Sequence, residues 1–163
     1  MKKLNNKGFT LIELLAAVVV LGLILLVTIP LVTNNITFGR NKTYVQDANK
    51  LIALAEYKLN SNSLKIEKPD PSNCIVLAFD YLNDGSITSP PNGGTYNGDV
   101  SFVIVKNNNG KLEYAVSLIE ELKNNGGYSG VKLSTKEQLN GYSASSRVTG
   151  FTSDELICVS REA

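Results

Sequence analysis

The chain has 163 residues, the length of a single domain, with 16 Lys and Arg against 15 Asp and Glu and a net charge of +1. That balance argues against an electrostatically driven nucleic-acid binder, which carries a basic excess. Histidine is absent, so a histidine general base, a His-ligated metal and a Ser-His-Asp triad are all excluded.

The chain opens on a short basic stretch containing Lys2, Lys3 and Lys7. From Leu14 to Val32 there follow 19 residues without a charge, interrupted only by Gly22, Thr28 and Pro30. As a helix this run spans roughly 28 Å, close to the ~30 Å hydrocarbon core of a bilayer. The lysines ahead of it predict a cytoplasmic N-terminus by the positive-inside rule. A secretory signal peptide is one reading, weakened by an apolar run of unusual length and no small-x-small cleavage site. A generic membrane anchor is a second. A third must explain Glu13, a carboxylate at the edge of the apolar run with no Lys or Arg after it until Arg40. Either Glu13 snorkels at the interface, or it meets a positive partner inside the bilayer. A free α-amino group from another copy would serve, being mostly charged at neutral pH.

Lys7-Gly8-Phe9-Thr10-Leu11-Ile12-Glu13-Leu14 closely resembles the prepilin motif of type IV pilins and type II secretion pseudopilins: a leader ending in Gly, then Phe-Thr-Leu-Ile-Glu, then an apolar run. Pro30, the twenty-second residue counted from Phe9, falls where that family places a helix-kinking proline. The resemblance covers about the first 35 to 60 residues. It implies that a membrane-embedded prepilin peptidase cuts between Gly8 and Phe9 and methylates the new Phe9 amine. The cut removes three lysines and leaves 13 basic against 15 acidic side chains. Glu13 is then expected to pair with the Phe9 amine of a neighbouring subunit, and Gly22 and Pro30 to weaken the helix locally. The implied partners are the peptidase, sibling subunits, membrane lipid before assembly and the membrane assembly machinery. The expected location is the cytoplasmic membrane, single-pass, and then an extracellular pilus or pseudopilus.

Beyond Val32 the chain turns polar. Val45, Ala48, Ile52, Ala55 and Leu59, widened by Leu51 and Leu54 and flanked by Tyr44 and Tyr57, then form one apolar stripe at helical spacing. A helix from Phe9 to Asn60 is predicted, with a bend near Asn34-Asn35 or Gly39. Strands are predicted at Cys74–Tyr81, Val100–Val105 and Leu112–Leu118, the last two joined by an Asn-Gly hairpin, and at Leu156–Val159. Residues 117–125 read alternatively as a short helix ending at Gly126-Gly127. Ser134 with Glu137 suggests a capping box. The predicted class is α+β: a long N-terminal membrane-spanning helix packed on a small antiparallel sheet. The expected organisation is leader 1–8, filament-core helix 9–32, amphipathic continuation 33–62 and globular domain 63–163.

Cys74 and Cys158 are the only cysteines. An exported domain meets an oxidising compartment, so they form either a bridge or two buried thiols. Asp80, Asn83 and Asp84 before Gly85 offer oxygen ligands for Ca²⁺, although turn formation explains the same residues without a metal. The Asn- and Gly-rich stretches at 92–98, 107–110 and 124–130 read as surface loops. No P-loop, GxSxG, CxxC or nucleophile–base set appears, so no enzyme and no cofactor is expected. The expectation is a structural filament subunit, a pilin rather than a secretion or competence pseudopilin. A membrane-anchored binding domain that never assembles is the rival.

Overall fold

The computed structural model describes residues 8–61, 69, 74–123 and 127–140. The chain divides into two compact units, Met1–Phe38 and Gly39–Ala163. Helix α1, Leu11–Asn60, carries residues of both, and its helical assignment passes Gly22, Pro30, Asn34, Asn35 and Gly39 without interruption.

In the first unit, every described residue through Phe38 is exposed. Leu14 to Val32 therefore present their side chains outward on all sides of the helix, as an all-round apolar sequence must. Leaving so many Leu, Ile and Val side chains in water costs tens of kcal/mol at about 1.5–3 kcal/mol each. The segment is long and apolar enough to cross a membrane.

In the second unit the helix has one buried face: Tyr44, Ala48, Leu51, Ile52, Ala55 and Leu59. The predicted stripe is this face, except that Tyr44 belongs inside it while Tyr57 is 69% exposed. It packs with an antiparallel sheet that has five strands among the described residues: β1 Cys74–Ala78, β2 Thr95–Tyr96, β3 Phe102–Asn108, β4 Lys111–Glu121 and β5 Tyr128–Thr135. The path runs β1-β3-β4-β2, with β5 on β4. Leu77, Val103, Val105, Val116, Leu118 and Val131 join the helical residues in one core. The hairpin turns at Asn109 and Gly110, both with positive φ (51° and 90°), as a two-residue primed turn requires.

Four local expectations are corrected. The strand predicted over Cys74–Tyr81 stops at Ala78, and Phe79–Leu82 form a single helical turn, α2. Phe79 and Leu82 are both buried, and three-residue spacing brings two side chains to one face in a helix but not in a strand. The alternative helix at 117–125 is instead the continuation of β4 to Glu121, held by β5 on one edge and β2 on the other. The capping box lies one residue later than predicted. The Thr135 N–H donates to Gln138 Oε1 (2.9 Å) and the Gln138 N–H to Thr135 Oγ1 (3.3 Å), starting α3 at Lys136. Strands β2 and β5 replace parts of the stretches read as loops at 92–98 and 124–130. The strand predicted at Leu156–Val159 lies outside the described residues.

One polar cluster was not anticipated. Glu120 is fully buried on β4. Its carboxylate accepts from the Tyr44 hydroxyl, the Asn92 side-chain amide (3.1 Å) and the Gly94 N–H (2.7 Å). The Asn92 amide also donates to Tyr44 Oη (2.6 Å), and the Tyr96 hydroxyl donates to Asp47 (2.6 Å). Lys50 Nζ donates to the Ser86 carbonyl at 2.6 Å. The 83–97 loop is thus tied to α1 at successive turns, through Tyr44, Asp47 and Lys50. Gly94 is obligatory here, because a Cβ would sit 2.0 Å from the Glu121 carbonyl oxygen.

This cluster predicts an alkaline transition. Burial first, and then the Glu120 and Asp47 carboxylates, push the Tyr44 and Tyr96 phenols well above their ordinary value near 10. The folded state therefore holds these protons after an unfolded chain has released them. The stability they contribute is whole below pH ~10 and is lost as pH rises through the folded values. Ultraviolet titration of the folded chain should show two of its seven tyrosines failing to ionise until the chain unfolds. Seven tyrosines ionising together near pH 10 would contradict this.

Candidate processing and assembly site

The site lies at the start of α1. Thr10 precedes the first helical residue, Leu11, and Glu13 occupies the third helical position. Among the first turn's N–H groups, which lack partners inside the helix, that of Glu13 donates to Thr10 Oγ1 at 3.3 Å. In return the Glu13 carboxylate accepts from the Thr10 N–H (2.9 Å) and from the Thr10 hydroxyl (2.9 Å). This is a reciprocal capping box. Its signal was present in the sequence as Thr-x-x-Glu, so Glu13 has a local role beside the one expected from the motif. Both Thr10 bonds land on Oε2. A carboxylate has about four acceptor positions, and among the described residues Oε1 takes no donor.

Phe9 is 90% exposed immediately before the cap. Gly8 stands in open space, with nothing within 4 Å of where a Cβ would lie and no left-handed backbone angle. The fold does not require glycine there. The same holds for Gly22, where an added Cβ would also meet nothing. Pro30 lies inside the helix. Its missing N–H removes one helical hydrogen bond, and its ring crowds the preceding turn. The geometry therefore gathers Gly8, Phe9, Thr10 and Glu13 at one helix end, with Gly22 and Pro30 along the same segment.

The remaining sequence candidates lie elsewhere. Cys74 opens β1 and is disulfide-bonded; Cys158 lies outside the described residues. Asn83 Oδ1 accepts from the N–H groups of Gly85 (3.2 Å) and Ile87 (3.1 Å), and Asp84 Oδ1 from that of Ser86 (3.0 Å). Hydrogen bonds from Ser86 hold the Asp84 carboxyl below its ordinary range. Asp80 lies against Gly98, where a Cβ would come within 2.5 Å of its Oδ2. Among the described residues no group of three or more Cys, Asp or Glu is placed to hold a metal ion.

The cap yields a direct prediction. Thr10→Val removes the hydroxyl and should weaken the first turn by about 1 kcal/mol. Amide exchange at Leu11 to Leu14 should then speed up about fivefold in detergent micelles, with protection in the sheet unchanged. Unaltered exchange in that turn would contradict the cap.

Comparison with curated proteins and with solved structures finds no match. Residues 3–29 do match the family model of the prokaryotic N-terminal methylation motif. Over those residues the chain carries the hallmark of type IV pilins and pseudopilins.

Proposed function

We propose that this chain is a structural subunit of a type IV pilus-like filament. In this reading a prepilin peptidase cuts between Gly8 and Phe9 and methylates the Phe9 amine. The subunit waits in the cytoplasmic membrane through its apolar helix, N-terminus inward, and then packs with other copies or sibling subunits into a helical filament. The observation that carries the reading is the motif at 3–29 joined to a helix whose apolar residues are exposed on every side. Such a surface is stable in only two settings, a bilayer or a bundle of like helices.

Glu13 supports it further. From Phe9 to Phe38 it is the only charged side chain. An acidic side chain in the hydrocarbon costs about 2.5–3.5 kcal/mol at the helix centre, and less near an end. A neighbouring Phe9 amine offsets that cost, and Oε1, which takes no donor among the described residues, gives it an acceptor. Gly8 fits the same reading: with open space around it, the demand for a side chain no larger than hydrogen is placed on the peptidase. Gly22 and Pro30 supply local weakness in the helix for packing in the filament. A Cys74–Cys158 bridge completes the proposal. It closes a loop of about 85 residues and contributes at most about 4–5 kcal/mol in the chain-entropy model.

The test is the N-terminal residue and intact mass of the protein from its own cells, with sheared surface material and membranes taken separately. N-methylated Phe9 in the sheared fraction is the expected result for a pilin. Methylated Phe9 confined to membranes would favour a subunit of a short secretion or competence pseudopilus, or a minor subunit. An intact Met1, or a cut near Ile29–Thr33, would overturn the filament reading.

A further inference from the structure

Past the apolar run, α1 does not become acidic or neutral at once. Between Phe9 and Gln46 the charged residues are Glu13, Arg40 and Lys42 alone. Arg40 and Lys42 are exposed, and neither has a carboxylate of the described residues at ion-pair distance, the one ion pair among those residues joining Lys136 to Glu56. On the preceding turn Ile36 and Phe38 are 48% and 68% exposed. The order along α1 is therefore apolar run, uncharged polar residues with two exposed apolar side chains, and then two bare cations.

Two residues apart on a helix means about 200° of rotation, so Arg40 and Lys42 point to nearly opposite sides. A protein partner docking on one face would meet one of them. A medium surrounding the helix meets both. Helical side chains also lean toward the N-terminus, here back toward the apolar run. Arg40 lies eight residues beyond Val32, or roughly 12 Å of helix, while the headgroup layer is roughly 5–8 Å deep on each side of the hydrocarbon. The lean of its side chain brings the Arg40 head to that layer, while Lys42, roughly 15 Å beyond Val32, stays within the ~8 Å Debye length over which an anionic surface attracts it. The guanidinium fork of Arg40 matches a phosphate in two-pronged geometry, and Lys42 adds a point charge.

We infer that Arg40 and Lys42 form a two-sided girdle for anionic phospholipid headgroups at the level where α1 leaves the membrane. This rests on the membrane-anchored reading above. The girdle holds the subunit at a set depth before assembly, and its lipids are released when the helix is extracted.

The test uses the full chain in nanodiscs of phosphatidylcholine mixed with phosphatidylglycerol, with retained lipids counted by native mass spectrometry. Wild type should retain phosphatidylglycerol preferentially. Taking each basic residue near an anionic surface as worth about a factor of five, the R40Q/K42Q variant should lose about 30-fold in that preference. Both positions are exposed, and glutamine is a good helix former, so the fold survives. K106Q/K111Q, which removes two exposed sheet lysines, should keep the preference. No preference in wild type, an unchanged preference in R40Q/K42Q, or an equal loss in K106Q/K111Q would each overturn the girdle alone. A chain that fails to enter the bilayer at all would overturn the membrane reading, and the girdle with it.

Discussion

Glu13→Gln is expected to leave cleavage after Gly8 intact and to lower filament yield at least tenfold. The substitution separates the cap made by this side chain from the pairing proposed for it. Glutamine at the third helical position still completes a capping box, accepting from Thr10 as the carboxylate does. It cannot pair with a positive amine. Removing one member of a buried charge pair costs about 3–5 kcal/mol, because the other charge is left alone in an apolar setting. At 1.4 kcal/mol per tenfold change, even the lower figure is beyond tenfold for each subunit added. Thr10→Val makes the reverse change, keeping the charge and losing the cap hydroxyl. If pairing governs assembly, Glu13→Gln is the severe variant and Thr10→Val the mild one. If the cap governs it, the order reverses. Immunoblots of sheared and membrane fractions read both yield and processing. Normal yield from Glu13→Gln would end the pairing model.

The largest effect on the globular part is expected at Glu120. Among the described residues its carboxylate accepts from four donors: the Tyr44 hydroxyl, the Asn92 N–H and side-chain amide, and the Gly94 N–H. Leucine would fill the space and take this acceptor from each of them, leaving the Asn92 side-chain amide only its bond to Tyr44 Oη. An unsatisfied buried donor costs about 1–3 kcal/mol, so Glu120→Leu should destabilise by about 3–5 kcal/mol once the surroundings relax. For a chain of this size that is a fall of roughly 10 °C in melting temperature. Glutamine turns one of the two acceptor atoms into another donor and should cost less than leucine but more than 1 kcal/mol. Chemical denaturation of the full chain in detergent, followed by circular dichroism, measures both. A Glu120→Leu variant within 1 kcal/mol of wild type would show that the carboxylate is not what ties the 90–97 loop to β4 and α1.

These two glutamates show how differently function and fold were written. Glu13 was legible because its meaning is local: a carboxylate beside a long apolar run stands out against residues that neighbour it in sequence. The cap at Thr10 is equally local, written as Thr-x-x-Glu at the start of the helix. The amphipathic face from Ala48 to Leu59 was legible for the same reason, since helical periodicity brings residues three and four apart to one side. Glu120 was not legible. In sequence it is one of two adjacent glutamates after an apolar strand, and nothing there tells that Tyr44, 76 residues earlier, donates to it. The same is true of the 79–82 turn, whose form depends on which face of the core receives Phe79 and Leu82.

The sequence by itself determined the membrane-length helix, the processing motif and its glutamate, the hairpin at Asn109-Gly110 and the α+β class, because each follows from short-range spacing, composition or turn chemistry. Only the tertiary structure decided that β4 runs on to Glu121, that Thr95–Tyr96 and Tyr128–Thr135 are strands rather than loops, and that Tyr44 and Glu120 are buried together. Strand pairing and the burial of a polar group depend on partners distant in the chain, and those partners exist only once the sheet has closed against the helix.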